Sequence, residues 1–546
     1  MTPGLFGKSK KVPASPDSLV RRLFLDLLNR TPEYDEFMEA RVLIDEDKYT
    51  TLVDKLLAKR EFTENLAHKV VDHYAAAAAA KNANTIVQLK EHISIKYLTP
   101  KADFRTFLKD FITARGGERT NPLIRMYHRD EDTADLAGRM AQRILALPLT
   151  CARCHDHKDY KKIKQKDYWA FTAFFNKMER NRVEKQDDLR RLYKSMGDKT
   201  AGMTKFGREQ YDLLKTWMQG EDQKLFTGSK KDRERMMNPT EMKMKQLMDQ
   251  RLKKPQYVIG ESPVKLGNVN IYYEYQGKRY KTLPSLPFKR TSLRAEEKPR
   301  EFLADWIVRA DNPYTSKAIV NWVANWLYGR GYIMPVYDIY GGVGEKKADL
   351  EKIARNFRNN KFNMTKLVRE IVLSKSYRLK TSYKTDELAF ANFSARRFRY
   401  LSSDQLLNSL YRDKMKEWQN IGSRGKKALL GFERQKLSTA ARYFPRSLED
   451  TTANFKGTMP QALYMTINQR FTSFVDREAN WAYRNRAKTT KEKFLIRFFI
   501  KIYTRTPTKS ELAFFTKKLN DDAAYDKSGY YEVIWTLVNS PEMRIY

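Results

Sequence analysis

Cysteine is almost missing from this 546-residue chain, which has two, Cys151 and Cys154. So few thiols exclude a disulfide framework and a zinc module built on four thiolates. Long apolar runs are missing as well: no stretch approaches the roughly 20 apolar residues that a membrane-spanning helix needs. Met1 to Ser15 carries cations without the apolar stretch of a signal peptide. The expectation is a soluble chain, either cytoplasmic as printed or periplasmic and numbered from after a removed leader. Acidic side chains are in short supply, with 66 Asp and Glu against 104 Lys and Arg and a formal net charge of +38. Such an excess attracts acidic partners, and an acidic protein, an anionic glycan, lipid headgroups or nucleic acid would each satisfy its sign. No recognised nucleic-acid-binding module accompanies the charge.

Apolar material is plentiful. Hydrophobic residues make up 41% of the chain and aromatic ones 12%, which argues for packed cores rather than disorder. The length favours two or more domains. Leu19, Leu23, Leu27 and Val20, Phe24, Leu28 stand at helical spacing before the break at Thr31-Pro32, and a further helical run follows. Phe494 to Tyr503 is a similar run, closed by Arg505-Thr506-Pro507. Arg30-Thr31-Pro32 with Glu36 matches Arg505-Thr506-Pro507 with Glu511, and Leu56-Leu57 with Glu61-Phe62 matches Leu537-Val538 with Glu542-Met543. An internal repeat is one explanation; packing patterns that helical bundles reuse are the other. A third, partial echo runs from Ile371 to Ser374 and Tyr377.

The stretch Arg180 to Lys254 is charged and poor in turn residues, as solvated helices or an arm would be. Val264 to Leu283 alternates apolar and polar residues around Gln276-Gly277 and predicts a β-hairpin. The whole reads as a mainly α, multi-helical, two-domain chain. Its parts are a basic segment 1–15, a helical region 16–180, a charged connection 181–295 with the hairpin, and a helical region 296–546. Ala75 to Ala80 is an unbroken alanine run that carries no side-chain information.

Both cysteines lie in Cys151-Ala152-Arg153-Cys154-His155. This is the spacing at which two thiols join the haem vinyl groups and the next His binds iron. A disulfide or redox thiol pair, a zinc half-site and coincidence remain open beside haem c. Zinc would need further ligands, with His157 and His128 available, and a thioredoxin-like site would sit in a βαβ setting, whereas Ala137 to Leu147 reads as helix.

Around the motif, Cys151 to Lys158 is followed by Gln165-Lys166-Asp167-Tyr168-Trp169 and Phe174-Phe175, with Arg21-Arg22-Leu23, Pro32 and Leu52 to Leu57 upstream. This resembles the planctomycete cytochrome-type proteins. Asp311-Asn312-Pro313, Ile319-Val320-Asn321, Tyr328-Gly329-Arg330-Gly331, Pro460 to Leu463 and Asn468 resemble their C-terminal companion domain. The resemblance implies an exported bacterial protein of largely helical fold, with a haem-attachment pattern and no established reaction; the expected place is the periplasm or cell envelope if a leader has been removed. The chain departs from the family at Lys161-Lys162, where an Asp-Pro pair is usual, and at Lys346-Lys347-Ala348, near which a Ser-His-Pro segment is usual.

An electron-transfer haem takes a second axial ligand, and His128, Met126, His73 and His68 are open to that role, with no spacing that selects one. His157 lies too near His155 to reach the opposite haem face; it suits a hydrogen bond that orients the loop, and Asp156 suits a helix cap or an acceptor that steadies a ligand. Trp322 and Trp326, one helical turn apart, read as packing, and Gly329-x-Gly331 and Gly341-Gly342-x-Gly344 as turns. Lys8 to Lys11 and Lys230 to Lys254 are basic clusters of the kind that is usually a solvated face. The leading expectation is an extracytoplasmic electron-transfer haem protein with a redox partner. The alternatives are a non-catalytic scaffold subunit of a larger assembly, docking acidic partners, and a nucleic-acid-binding protein.

Overall fold

The computed structural model describes residues 12–75, 83–118, 121–127, 132–183, 256–261, 270–288, 293, 298–382, 387–443, 459–521 and 527–546. Helix dominates. Ser15 starts α1 (Pro16–Leu23) by accepting from Ser18 N at 3.3 Å, and the helix continues through a π turn, Phe24–Leu28. Leu19, Val20, Leu23 and Phe24 are buried, as their spacing predicts. Then follow α2 (Tyr34–Asp45), α3 (Tyr49–Leu57), α4 (Arg60–Tyr74), α5 (Ala83–Tyr97), α6 (Phe104–Ile112), α7 (Thr133–Leu145) and α8 (Gln165–Thr172). After the connection come α9 (Pro299–Ile307), α10 (Thr315–Tyr328), α11 (Lys347–Asn359) and α12 (Met364–Leu373). The last part holds α13 (Ser403–Asn420), α14 (Gly422–Tyr443), α15 (Met459–Ile467), α16 (Gln469–Arg484), α17 (Lys491–Tyr503), α18 (Lys509–Asp521) and α19 (Ser528–Asn539).

One hydrophobic core runs from Ala14 through Phe393, taking in Ile259 and Leu286 and joined by Ile500; a second is built from Leu401 onward, joined by Leu25. Besides a short parallel pairing of Thr381–Ser382 with Arg396–Arg397, the small β structure has two parts. The hairpin pairs β4 (Ile271–Tyr275) with β5 (Lys278–Thr282). Its turn residues Gln276 and Gly277 have φ of 51° and 73°, the left-handed pair that twists two strands together. The other part is a sheet in the order β1-β3-β2, made of β1 (Gly116–Gly117), β2 (Met178–Val183) and β3 (Gln256–Glu261). Here the helical expectation for the stretch beginning at Arg180 is corrected: Arg180 to Val183 is strand, paired antiparallel with Gln256 to Ile259. That partner is distant in sequence, so local composition does not reveal it. The rest of the stretch, 184–254, including Lys230 to Lys254, lies outside the described residues, as do Lys8 to Lys11 and positions 76–80 of the alanine run.

The repeated sequence signals mark a repeated three-helix unit. Its first helix ends on a left-handed residue: Asn29 (φ 59°), Gly329 (79°) and Thr504 (57°). An arginine comes next each time, Arg30, Arg330 and Arg505; two helices follow; and an extended residue, Lys59, Ser374 or Ser540, leads to a buried Phe62, Tyr377 or Met543. Two copies share a further bond, with Tyr328 and Ser374 hydroxyls 2.7 Å apart and Tyr503 donating to Ser540 at 2.8 Å.

In the outer copies the arginine is a clamp. Arg30 binds both oxygens of Glu36 (2.7 and 2.9 Å) and both of Glu61 (2.8 and 3.1 Å). Arg505 binds Glu511 (2.8 and 2.8 Å) and Glu542 (2.6 and 2.8 Å) in the same way. Two forked pairs use all the edges that a guanidinium offers. The middle copy has no such clamp: Asp349 stands at the helix position of Glu36 and lies 3.7 Å from Lys346, and Ser376 stands where the second Glu would be.

The three copies meet at Asp26, which is 1% exposed. Its carboxylate accepts from Arg399 Nη2 at 2.6 Å, Tyr377 Oη at 2.8 Å and Tyr546 Oη at 3.0 Å. Asp26→Asn is expected to cost about 3–5 kcal/mol, because it leaves the Arg399 cation sealed in without its anion; urea unfolding measures it. The clamps predict acid sensitivity. The Arg505 bonds, helped by Thr508, draw Glu511 down from 4.5 to about 2. The unfolded chain thus takes up this proton at a higher pH than the folded one, so the stability it supplies is full above about 4.5 and is lost as pH falls toward about 2. Circular dichroism at graded pH should show that loss, with a flatter slope in Arg505→Gln.

Candidate functional site

Helix α7 delivers the Cys-His loop. Asp132 caps it, accepting from Asp135 N at 2.7 Å, and Ala146, with φ of 50°, ends it. A 3₁₀ turn, Leu149–Ala152, follows, anchored by Leu149 and Ala152, both fully buried. The turn approaches α7 so closely that a Cβ on Gly138 would stand 2.8 Å from Thr150 Oγ1. Buried residues thus alternate with outward ones, and Cys151 and Cys154 emerge exposed, with both thiols free. Between them Arg153 binds Asp135 at 2.5 Å and Asp132 at 2.8 Å, tying the loop back to the start of α7.

His155 is exposed, and its Nδ1 lies 2.6 Å from the Asp156 carbonyl. A carbonyl can only accept, so Nδ1 is the donor, and in the neutral ring that leaves the lone pair on Nε2, the arrangement of a metal-ligating imidazole. His157 faces the other way chemically: its Nδ1 accepts from the Asp159 and Tyr160 amides at 3.1 and 3.3 Å, and its ring stacks on Tyr160, with centroids 4.4 Å apart. Asp156 Oδ1 accepts from Gln165 N, at the start of α8, at 3.0 Å, while Oδ2 takes Lys164 Nζ at 3.0 Å and Tyr275 Oη at 3.4 Å. Burial raises this carboxyl, but these bonds outweigh burial and hold it below its ordinary value.

Two neighbours frame the loop. The hairpin lies along α8: Gln165 Nε2 donates to both Arg153 O and Glu274 O at 3.0 Å, and Trp169 stacks over Tyr273 with centroids 6.2 Å apart. From the other side comes the long loop between α10 and α11. Tyr160 donates to Asp338 at 2.5 Å, Asp338 accepts from Gly341 N at 2.8 Å, and Ile339 N donates to Ala146 O at 2.9 Å. The Asp338 bond pushes the Tyr160 phenol up to about 12. Gly341 leaves no room: a Cβ there would fall 1.9 Å from Tyr160 Cζ. Sequence reasoning passed over Tyr160 and Asp338; the mandatory glycine at 341 was the available signal.

Three of the candidate second ligands have partners or burial of their own. His73 is buried, with Nε2 2.9 Å from Arg143 O, its ring stacked on Trp322 at 4.2 Å, and its pKa driven well down by burial. Met126 is fully buried. His68 sits 3.2 Å from Asp404 and 3.3 Å from Asp72, and His128 lies outside the described residues. Among the described residues no group of three or more His, Cys, Asp and Glu could hold a metal ion. Trp322 and Trp326 pack in the core, Gly329 ends α10, and Gly331 backs onto Asn321, in keeping with packing and turn roles. No helix among the described residues is long and apolar enough to cross a membrane.

Residues 7–180 match the family model described as PSCyt2, protein of unknown function (DUF1549), and residues 299–418 match the one described as PSD1, protein of unknown function (DUF1553). No curated protein and no solved structure matches the chain.

The contact at Tyr160 generates a prediction. Gly341→Ala should cost about 1–3 kcal/mol through overpacking, and Tyr160→Phe about 1–2 kcal/mol through the lost bond to Asp338. Both should change the rate at which the native Cys151 and Cys154 thiols react with a disulfide reagent, whereas Tyr272→Phe on the exposed hairpin face should not.

Proposed function

This chain belongs to the planctomycete cytochrome-type proteins, and from that membership we propose that it is a c-type haem protein acting in electron transfer outside the cytoplasm. The observation that carries the reading is the donor set: two free, exposed thiols in CxxCH spacing, followed by an imidazole whose Nδ1 is pinned to a backbone carbonyl. These residues fit a covalently held haem. Cys151 and Cys154 would form the thioethers and His155 Nε2 would ligate the iron, and the group when bound supplies a one-electron centre. The chain's own part is positional. Asp156, bonded to the start of α8, and Arg153, bonded to the start of α7, fix the loop at both ends, so the imidazole keeps its orientation. Lys158, Lys161, Lys162, Lys164 and Lys166 are exposed around the loop, a basic rim that suits an acidic redox partner.

A second reading rests on the Tyr160–Asp338 contact. The loop keys one family domain onto the other, as a subunit with a scaffolding role and a bare thiol pair would also require.

The readings separate on protein purified from its native source. A pyridine haemochrome spectrum and a haem-stained denaturing gel should show covalent haem, absent from Cys151→Ser with Cys154→Ser. In His155→Ala the haem should stay attached with an altered axial-ligand spectrum. Wild-type protein with no retained haem would remove the first reading and leave the scaffold.

A further inference from the structure

The interior around Asp26 holds more positive charge than negative. Arg22, Arg396 and Arg399 are 2%, 3% and 2% exposed. Among the described residues the carboxylate paired with any of them is Asp26, bound to Arg399. Arg22 is spent on neutral acceptors, the carbonyls of Tyr377 and Leu379 at 2.5 and 3.0 Å and Thr381 Oγ1 at 2.9 Å. Arg396 donates from Nη2 to Leu327 O at 2.6 Å, while its Nε and Nη1 are sealed from solvent with no acceptor. Its guanidinium lies 5.0 Å from the Tyr328 ring and 4.9 Å from the Tyr377 ring.

Three cations against one anion is an unstable balance in a low-dielectric interior, where an unmet charged donor costs about 1–3 kcal/mol or more. The two rings soften the field of Arg396 without cancelling its charge. Burial, with Arg22 and Arg399 beside it, lowers Arg396 to about 9, which leaves it a cation at neutral pH. A water molecule would meet the free donors but not the charge.

We propose that this interior binds a small monovalent anion of chloride size on a free donor of Arg396, whose Nε and Nη1 face different edges of the guanidinium, with Arg22 as the second cation. The proposal does not depend on the haem reading. The site is assembled from α1, the segment after α12 and the strand at Arg396, so it exists in the folded chain alone. The anion therefore stabilises the native state by mass action.

The test is thermal unfolding of the full chain in sodium chloride and in sodium gluconate at equal ionic strength. Gluconate is too large to enter but supplies the screening to which a chain of charge +38 responds. Chloride should raise the midpoint above gluconate in a saturable way, and Arg396→Gln should bring the two curves together. If that variant does not fold, crystals of the wild-type chain grown in bromide decide the matter: an anomalous-scattering peak within hydrogen-bonding reach of Arg396 supports the site. Coincident wild-type midpoints in the two salts, or a map with water alone at Arg396, would overturn it.

Discussion

One buried carboxylate organises this molecule. Asp26 lies on the π turn that ends the first helix, and its three donors are Tyr377 of the middle repeat, Arg399 beyond it and Tyr546. Burial pushes the Arg399 guanidinium down, and Asp26 more than restores it, so each ion is tolerable only with the other. Arg21, next along α1, reaches the carbonyls of Ile502, Met543 and Ile545. Helix α1 and the π turn after it are thus held by residues more than 500 positions away, and the native cluster cannot form until these distant segments have met. Contacts of such sequence separation carry a loop-closure cost before they return any stability.

The repeat shows how one local solution serves different ends. A left-handed residue turns the chain, an arginine follows, and in the outer copies two glutamates lock the three helices of the unit through that arginine. The middle copy has neither glutamate and a longer loop, and that loop supplies Asp338, Tyr340 and Gly341 beneath the Cys-His turn. Departure from the repeat and proximity to the candidate site coincide.

Much of this is legible in the amino-acid sequence. Helical periodicity located the first and last units, Gln276-Gly277 located the hairpin, and the paired Arg-Thr-Pro and Glu signals proved to be the parts of a clamp. Packing for Trp322 and Trp326 followed from their spacing. What escaped was non-local. Strand β2 depends on a partner beyond a long connection, and the charge balance around Arg396 joins residues from three segments. Tyr160 looked like one aromatic among many until Gly341 was seen pressed against it. At the Cys-His loop the donors were legible, whereas the proton on His155 Nδ1 required knowing that a carbonyl faced it.

The pairing of β2 with β3 has a consequence for how such chains diversify. It fastens the two ends of the connection side by side, at Val183 and Gln256. A graft or deletion between them begins and ends at the same anchored gate, so the helices on either side need not adjust. Doubling the length of such a closed segment adds only about 0.6 kcal/mol of closure entropy. This makes the base of that sheet a natural port for acquiring new sequence while the arginine-clamped frame stays unchanged.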